Sequence, residues 1–361
     1  MRMLMPALVG LFFVIGCSSE VLNLPSGAAG GGPGGAGGAG AAGGVGGAGA
    51  TGGGGGTGGS TPGGKSFTVT FDPVKVAPGT ERTQCIVKRL GNDEIARIHQ
   101  IHNVLPKGSH HLIVYRTADT EEKPTPYDCQ PFADTLDPTK GSPVMITQKH
   151  DDTLTLPPGV AFTMQPGVMV RLEMHYINAT FEPLDIGATS TFITMPEEEY
   201  KDDADFLFIG NPDIKIAPHS TATLGPTFMK LPDSLAGVNF FGITGHTHQW
   251  GKDVSVNVTS SKGETGKPVY DVPDYVWSEP PTIYHDPPFQ VPAGGGFNFT
   301  CAWDNQSASE VGFGESANDE MCFFWAYYYP SKGSLVCAHT DQIPGGYDLC
   351  CPGNSFCDNI F

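Results

Sequence analysis

Six side chains able to bind a metal ion fall into four short motifs between residues 110 and 321. They are the pair His110-His111, His175 within Met-His-Tyr, the triplet His246-Thr247-His248, and Met321 at the end of Asp-Glu-Met. Taken together they suggest two separate sites, one of three imidazoles and one of two imidazoles with a thioether. A thioether is a soft donor that favours copper, Cu(I) above all, over zinc, calcium or magnesium. That donor points to redox chemistry.

Each motif also has a plainer alternative. In extended backbone, residues i and i+2 project from one face about 6.5–7 Å apart, so His246 and His248 can converge on one ion; a pair of surface histidines is the alternative. His110 and His111 are neighbours, and neighbours in a strand point to opposite faces. Shared ligation therefore needs a strand entrance or a twist, which the preceding Pro106-Lys107-Gly108-Ser109 turn can provide. His175 lies inside the apolar run Val168–Ile177, where a lone histidine is usually a satisfied core residue. Met321, between Glu320 and Cys322, is by itself more often core than ligand.

The elements that must position these groups read as strands. Short alternating or apolar runs, among them Phe67–Phe71, His111–Tyr115, Thr189–Met195, Phe206–Ile209, Val254–Thr259 and Phe323–Tyr329, are broken by Pro, Gly, Asn and Asp. No window of a dozen residues sustains a 3.6-residue apolar period. The pattern predicts an all-β body of sandwich or jelly-roll type. The acidic, Pro-flanked stretch Pro196–Asp205 is the best internal boundary and gives two portions, 66–200 and 201–361, each large enough for its own sandwich.

The chain begins with a basic start, an apolar stretch Leu8–Ile15 and then Val14-Ile15-Gly16-Cys17, which looks like a bacterial lipobox. It predicts a lipoprotein signal peptide over 1–16 and a lipidated Cys17; the apolar run is too short to span a bilayer. An ordinary signal peptide is the alternative. Residues 17–65 are mostly Gly with Ala, Thr, Ser and Pro, a composition without an apolar face, expected to be a flexible tether. Such a coil has an end-to-end distance of about 35–40 Å. These features place the body at the bacterial cell envelope, lipid-anchored to a membrane, with Ser18 favouring the outer one. Net charge is −18, so nothing draws the body to phosphate backbones, and nucleic acid is excluded as a partner. Nine cysteines less Cys17 leave an even number, read as disulfides in an oxidising compartment. Cys85 and Cys129, alone in the first half of the body, are expected to pair. Cys301, Cys322, Cys337, Cys350, Cys351 and Cys357 leave many pairings open.

In this order the motifs resemble the copper type II ascorbate-dependent monooxygenases. The resemblance rests on His-His-Leu-Ile-Val-Tyr (110–115), Leu-Pro-Pro-Gly-Val (156–160) leading to Met-His-Tyr (174–176), His-Thr-His-Gln-Trp-Gly-Lys (246–252), and Asp-Glu-Met-Cys (319–322) with Tyr-Tyr-Pro (328–330). It implies two tandem β-sandwich domains, a copper ion in each, facing one another across an open, solvent-filled cleft. His110, His111 and His175 would hold an electron-transfer copper, and His246, His248 and Met321 the catalytic, oxygen-activating one. Cys301 and Cys322 would form the family's disulfide beside the methionine. Ascorbate is the implied reductant, with O2 and a small-molecule or peptide substrate as partners. The peptide-hydroxylating branch carries a carboxylate-binding arginine where this chain has Thr244, and its Asn and Tyr look replaced by Phe323 and Trp325. A more apolar or aromatic substrate is therefore expected. The competing reading is a surface copper-binding protein without turnover. His99, His102, His150, His219, His285 and His339 match no family ligand, and the last four are expected at the surface.

Overall fold

Several strands of the body, Leu184–Thr194 among them, alternate buried and more exposed side chains, the period of a sheet with one face on a core. The computed structural model describes residues 64–130, 132 and 140–352. The expected signal peptide, Cys17, nearly all of the tether and Cys357 lie outside them. Among the described residues there is no α-helix, and none long and apolar enough to cross a membrane.

In chain order the strands are β1 (Ser66–Val76), β2 (Glu81–Arg89), β3 (Ala96–Val104), β4 (Ser109–Thr117), β5 (Lys123–Asp128), β6 (Gly141–Thr147), β7 (Asp151–Thr155), β8 (Val160–Met164), β9 (Met169–Ile177), β10 (Leu184–Thr194) and β11 (Asp202–Asp203). Then come β12 (Asp205–Gly210), β13 (Lys215–Ile216), β14 (Ser220–Lys230), β15 (Asn239–His246), β16 (Gly251–Thr259), β17 (Lys267–Asp271), β18 (Ile283–Phe289), β19 (Gly296–Asn305), β20 (Val311–Gly312), β21 (Phe323–Tyr329), β22 (Leu335–Thr340) and β23 (Tyr347–Cys351).

The first eleven form two sheets, β1-β10-β3-β8-β11 with β7 on β3, and β5-β2-β9-β4-β6. The rest form β18-β15-β21-β12-β22-β23, β14-β19-β16-β17 and a short β13-β20 ribbon. Pairing is antiparallel except at β8–β11 and β12–β22. Each pair of large sheets closes on a core, so the body is all-β and built as β-sandwiches.

The central strands β15, β21 and β12 of the sheet β18-β15-β21-β12-β22-β23 are buried on both faces. Leu207, Ile209, Phe324, Ala326 and Tyr328 enter the core they share with β14, β16 and β19. Phe206, Phe208, Phe323, Trp325 and Tyr327 point the other way, into a core continuous with Leu112, Ile146 and Leu172 of the first sandwich. This is why β12 reads Asp-Phe-Leu-Phe-Ile-Gly without alternation, buried throughout. Each such aromatic contributes about 1.5–3 kcal/mol of burial, and the metal-binding candidates lie along this seam.

Disulfides join Cys85 to Cys129, Cys301 to Cys322 and Cys337 to Cys350, and Cys351 is also disulfide-bonded. The adjacent Cys350 and Cys351 therefore do not bond to each other.

Candidate metal centre

Strand pairing, and one irregularity in it, gathers the first three histidines. β4 pairs with β9 so that His111 faces His175, while Ser109 faces Tyr176. Residue 110 is therefore extra on its strand, a β-bulge, and a bulge re-aims side chains that alternation would send apart. His110, His111 and His175 come together with ring centroids 5.0–5.3 Å apart. One nitrogen of each lies within 4.8 Å of the others. Metal–imidazole bonds of about 2.0–2.1 Å need nitrogens no more than roughly 4 Å apart, so a small ring adjustment closes the set on one ion.

His246 ends β15 and His248 follows it, with centroids 5.1 Å apart. His246 lies opposite Phe323 on β21. Met321, just before β21, is buried in the same core as Phe323 and Trp325. The backbones of His248 and Met321 are also tied to one atom: Glu320 Oε2 accepts from His248 N at 2.8 Å and from Met321 N at 3.3 Å. That carboxylate further accepts from Trp250 N and Trp303 Nε1. Burial pushes the Glu320 carboxyl up to about 7 against these four donors.

Gly251 makes the approach possible. A Cβ there would lie 1.8 Å from Thr247 Oγ1 and 3.0 Å from the His248 carbonyl oxygen. Only a glycine lets β16 start so close behind the two histidines.

The hydrogen bonds fix which ring nitrogens are free. Gln148 Nε2 donates to the Trp277 carbonyl, so its Oε1 faces His246 and accepts from Nδ1 at 3.1 Å. His248 Nδ1 donates to the Asp319 carbonyl at 3.3 Å. Both second-site rings thus leave Nε2 as the lone-pair nitrogen. His175 Nε2 donates to Glu81 Oε1 at 2.9 Å, which leaves Nδ1 free. Burial raises the Glu81 carboxyl, but the bond and charge of His175, the Ala317 N–H and the His248 charge together hold it below its ordinary range.

These residues fit a metal. His110 Nε2, His246 Nε2 and both nitrogens of His111 are buried without a hydrogen-bond partner among the described residues. Leaving a buried polar atom unmet costs about 1–3 kcal/mol, and a cation meets a lone pair. Burial pushes His110, His111 and His246 well below the usual imidazole range, with neighbouring histidines adding to it. His248 is pushed down to about 4, chiefly by burial. Neutral imidazole is the ligating form.

The surroundings differ from an open cleft. All six candidate ligands are buried, His110 the most exposed at 8%. Trp277 stands 5.2 Å from the His110 ring. Phe132 lies between the groups, 5.2 Å from His111 and 6.3 Å from His246, and stacks on Phe208, which stacks on Phe323. Aromatic packing occupies the space that the resemblance left to solvent.

Thr244 is buried and hydrogen-bonds Thr282, and Trp325 stands 6.0 Å from His246. His339 departs from its expected surface position: it is buried, with Nδ1 and Nε2 held by Asp348 and Asp341. Asp341 is only two residues away, whereas Asp348, nine away, reaches the ring through the pairing of β22 with β23. His150 and His219 are exposed, and His285 bonds the Val269 carbonyl. Sequence reasoning missed Glu81, Phe132, Gln148, Trp277 and Glu320. Only Glu320, next to Met321, carried a local signal.

The family model described as copper type II ascorbate-dependent monooxygenase, C-terminal domain, matches residues 203–343. No curated protein matches. Among solved structures, the chain is similar to the major capsid protein P2 from Bacteriophage PM2 at 10% identity, covering 75% of this chain and 99% of that one, with a TM-score of 0.34. It is also similar to a putative secreted protein from Parabacteroides distasonis ATCC 8503 at 8% identity, covering 75% and 91%, with a TM-score of 0.20. At scores this low neither likeness bears on the fold or the activity.

Proposed function

Because residues 203–343 match the C-terminal domain of the copper type II ascorbate-dependent monooxygenases, we propose that the chain is a member of that family and hydroxylates a C–H bond of an apolar or aromatic substrate with two coppers per chain. Family members are copper-dependent oxidoreductases that use ascorbate, O2 and a substrate. The observation that supports the reading best is the pair of buried donor groups with unmet ring nitrogens.

In this reading each sandwich is one copper domain. His110, His111 and His175 hold one copper through imidazoles alone, and His246, His248 and Met321 hold the other. Bound copper supplies one-electron chemistry and O2 activation. The overall change balances as substrate C–H, O2, two electrons and two protons giving C–OH and water, with ascorbate giving the electrons. The residues of the chain do the rest. Gln148 and the Asp319 carbonyl keep the protons of His246 and His248 on Nδ1, so that Nε2 faces the ion. Glu320 fixes the spacing of His248 and Met321. Phe208, Phe323 and Trp325 exclude water beside His246 and present an apolar wall. Thr244 offers no charge for a substrate carboxylate, which disfavours peptides ending in free glycine.

We further read the protein as lipid-anchored through Cys17 in the bacterial cell envelope, its body held off the outer membrane by the Gly-rich tether. Labelling with a radioactive fatty acid, lost on Cys17→Ser, tests that part.

The activity is tested by loading the protein with copper, adding ascorbate and screening aromatic and peptide substrates for hydroxylated product and O2 uptake. Met321→Ala is expected to abolish turnover while the three-histidine copper stays bound. Normal turnover by that variant overturns the assignment. Two bound coppers with no O2 uptake for any substrate favours the reading of a copper-binding protein without turnover.

A further inference from the structure

One carboxylate outside both donor sets touches each of them. Glu81, the first residue of β2, lies across from Ile177 and two residues from Thr83, which faces His175. Its Oε1 accepts from His175 Nε2 at 2.9 Å and also from the backbone N of Ala317 at 3.2 Å, 236 residues away. Ala317 sits in a tight turn in which Asp319 N donates to the Ser316 carbonyl. That turn holds the second donor set: the Asp319 carbonyl fixes the His248 ring, and Glu320 fixes the backbones of His248 and Met321. A single oxygen therefore connects a ring of the first set to the turn that places two ligands of the second.

Resting on the copper reading above, we propose that Glu81 is a positioning residue shared by the two sites, orienting His175 and anchoring the Ser316–Asp319 turn. A carboxylate on the far nitrogen of a ligating imidazole sets its tautomer and orientation and raises its basicity. Its negative charge also favours the more positive oxidation state of a nearby metal. The bond to Ala317 adds a mechanical link, because shifting the turn shifts the Asp319 carbonyl and with it the His248 ring. Glu81 touches no reacting atom; it acts through His175 and the turn.

Copper titration of the full chain tests this in two backgrounds, His246→Ala to isolate the first site and His110→Ala to isolate the second. Glu81→Ala is expected to weaken copper at the first site by about 10–100-fold. At the second site it is expected to diminish the copper–sulfur component of the Cu(I) X-ray absorption spectrum. Glu81→Gln keeps an acceptor oxygen and loses the charge. It should preserve the copper–sulfur component and raise the reduction potential of the first-site copper. A response of Glu81→Ala at one site only, or at neither, overturns the shared role. If Glu81→Ala fails to fold by near-UV circular dichroism, Glu81→Gln decides, and an unchanged potential overturns the proposal. A parent chain that binds no copper defeats the copper reading itself, a result distinct from all of these.

Discussion

Gln148 shows how one side chain can decide the chemistry of another. Its amide is oriented by the Trp277 carbonyl, which can only accept, and so its oxygen must meet His246 Nδ1. The proton is thereby held on the nitrogen away from the proposed copper. Replacing it, as Gln148→Leu, removes the acceptor while keeping an apolar body of similar size. Losing the group that holds a ligating imidazole's far nitrogen costs about 10–100-fold in metal affinity. We expect that loss for the copper at His246, His248 and Met321, with the three-histidine copper unaffected. Competition with a Cu(I) chelator measures it, and equal weakening at both sites would contradict this role. Gln148 had no signal in the sequence, because it lies 98 residues from the histidine it serves.

At the level of elements, two devices set the donors. The bulge at residue 110 turns an adjacent pair, which alternation would split, into two rings beside His175. The pair lies at a strand entrance, directly after the turn at 106–109, and the register shift against β9 there aims the rings; such a shift belongs to two strands, not to one segment. The second device is the Cys301–Cys322 bridge, which ties β19 to the residue following Met321. The link spans 21 residues, and a closed loop of that size stabilises by about 3 kcal/mol in the chain-entropy account. Cys301→Ala with Cys322→Ala should lower unfolding free energy by about that amount in urea. It should also weaken copper at the thioether site, and unchanged copper binding would show that β21 is held without the bridge.

Across the whole molecule, the central strands β15, β21 and β12 have no free face. Their Phe206, Phe208, Trp325 and Tyr327 belong to the first sandwich's core, while Leu207, Phe324 and Tyr328 belong to the second's. Unfolding one sandwich would expose one face of those strands, so the two should melt together. Scanning calorimetry of the copper-free protein is expected to give one cooperative transition for the body, with calorimetric and van't Hoff enthalpies equal. Two resolved transitions would show that the seam is not a shared core. Copper in excess should raise the midpoint, since a ligand at a hundred times its dissociation constant adds about 2.7 kcal/mol.

Residue types and short-range order were enough to establish the all-β body and to propose the donors and the two sets they divide into. Imidazole and thioether carry their metal preference wherever they sit, and strand alternation is a local property. The runs at Phe67–Phe71 and Val254–Thr259 became strands for that reason, while the aromatic run Phe323–Tyr329 became one buried on both faces. Tertiary structure alone decided that residue 110 bulges, that Phe132 fills the space between His111 and His246, and that His339 is buried between two aspartates. It also brought Glu81 to a turn more than two hundred residues away. Those outcomes depend on which strands pair and in what register, and on which faces then meet, which spacing along the sequence does not fix.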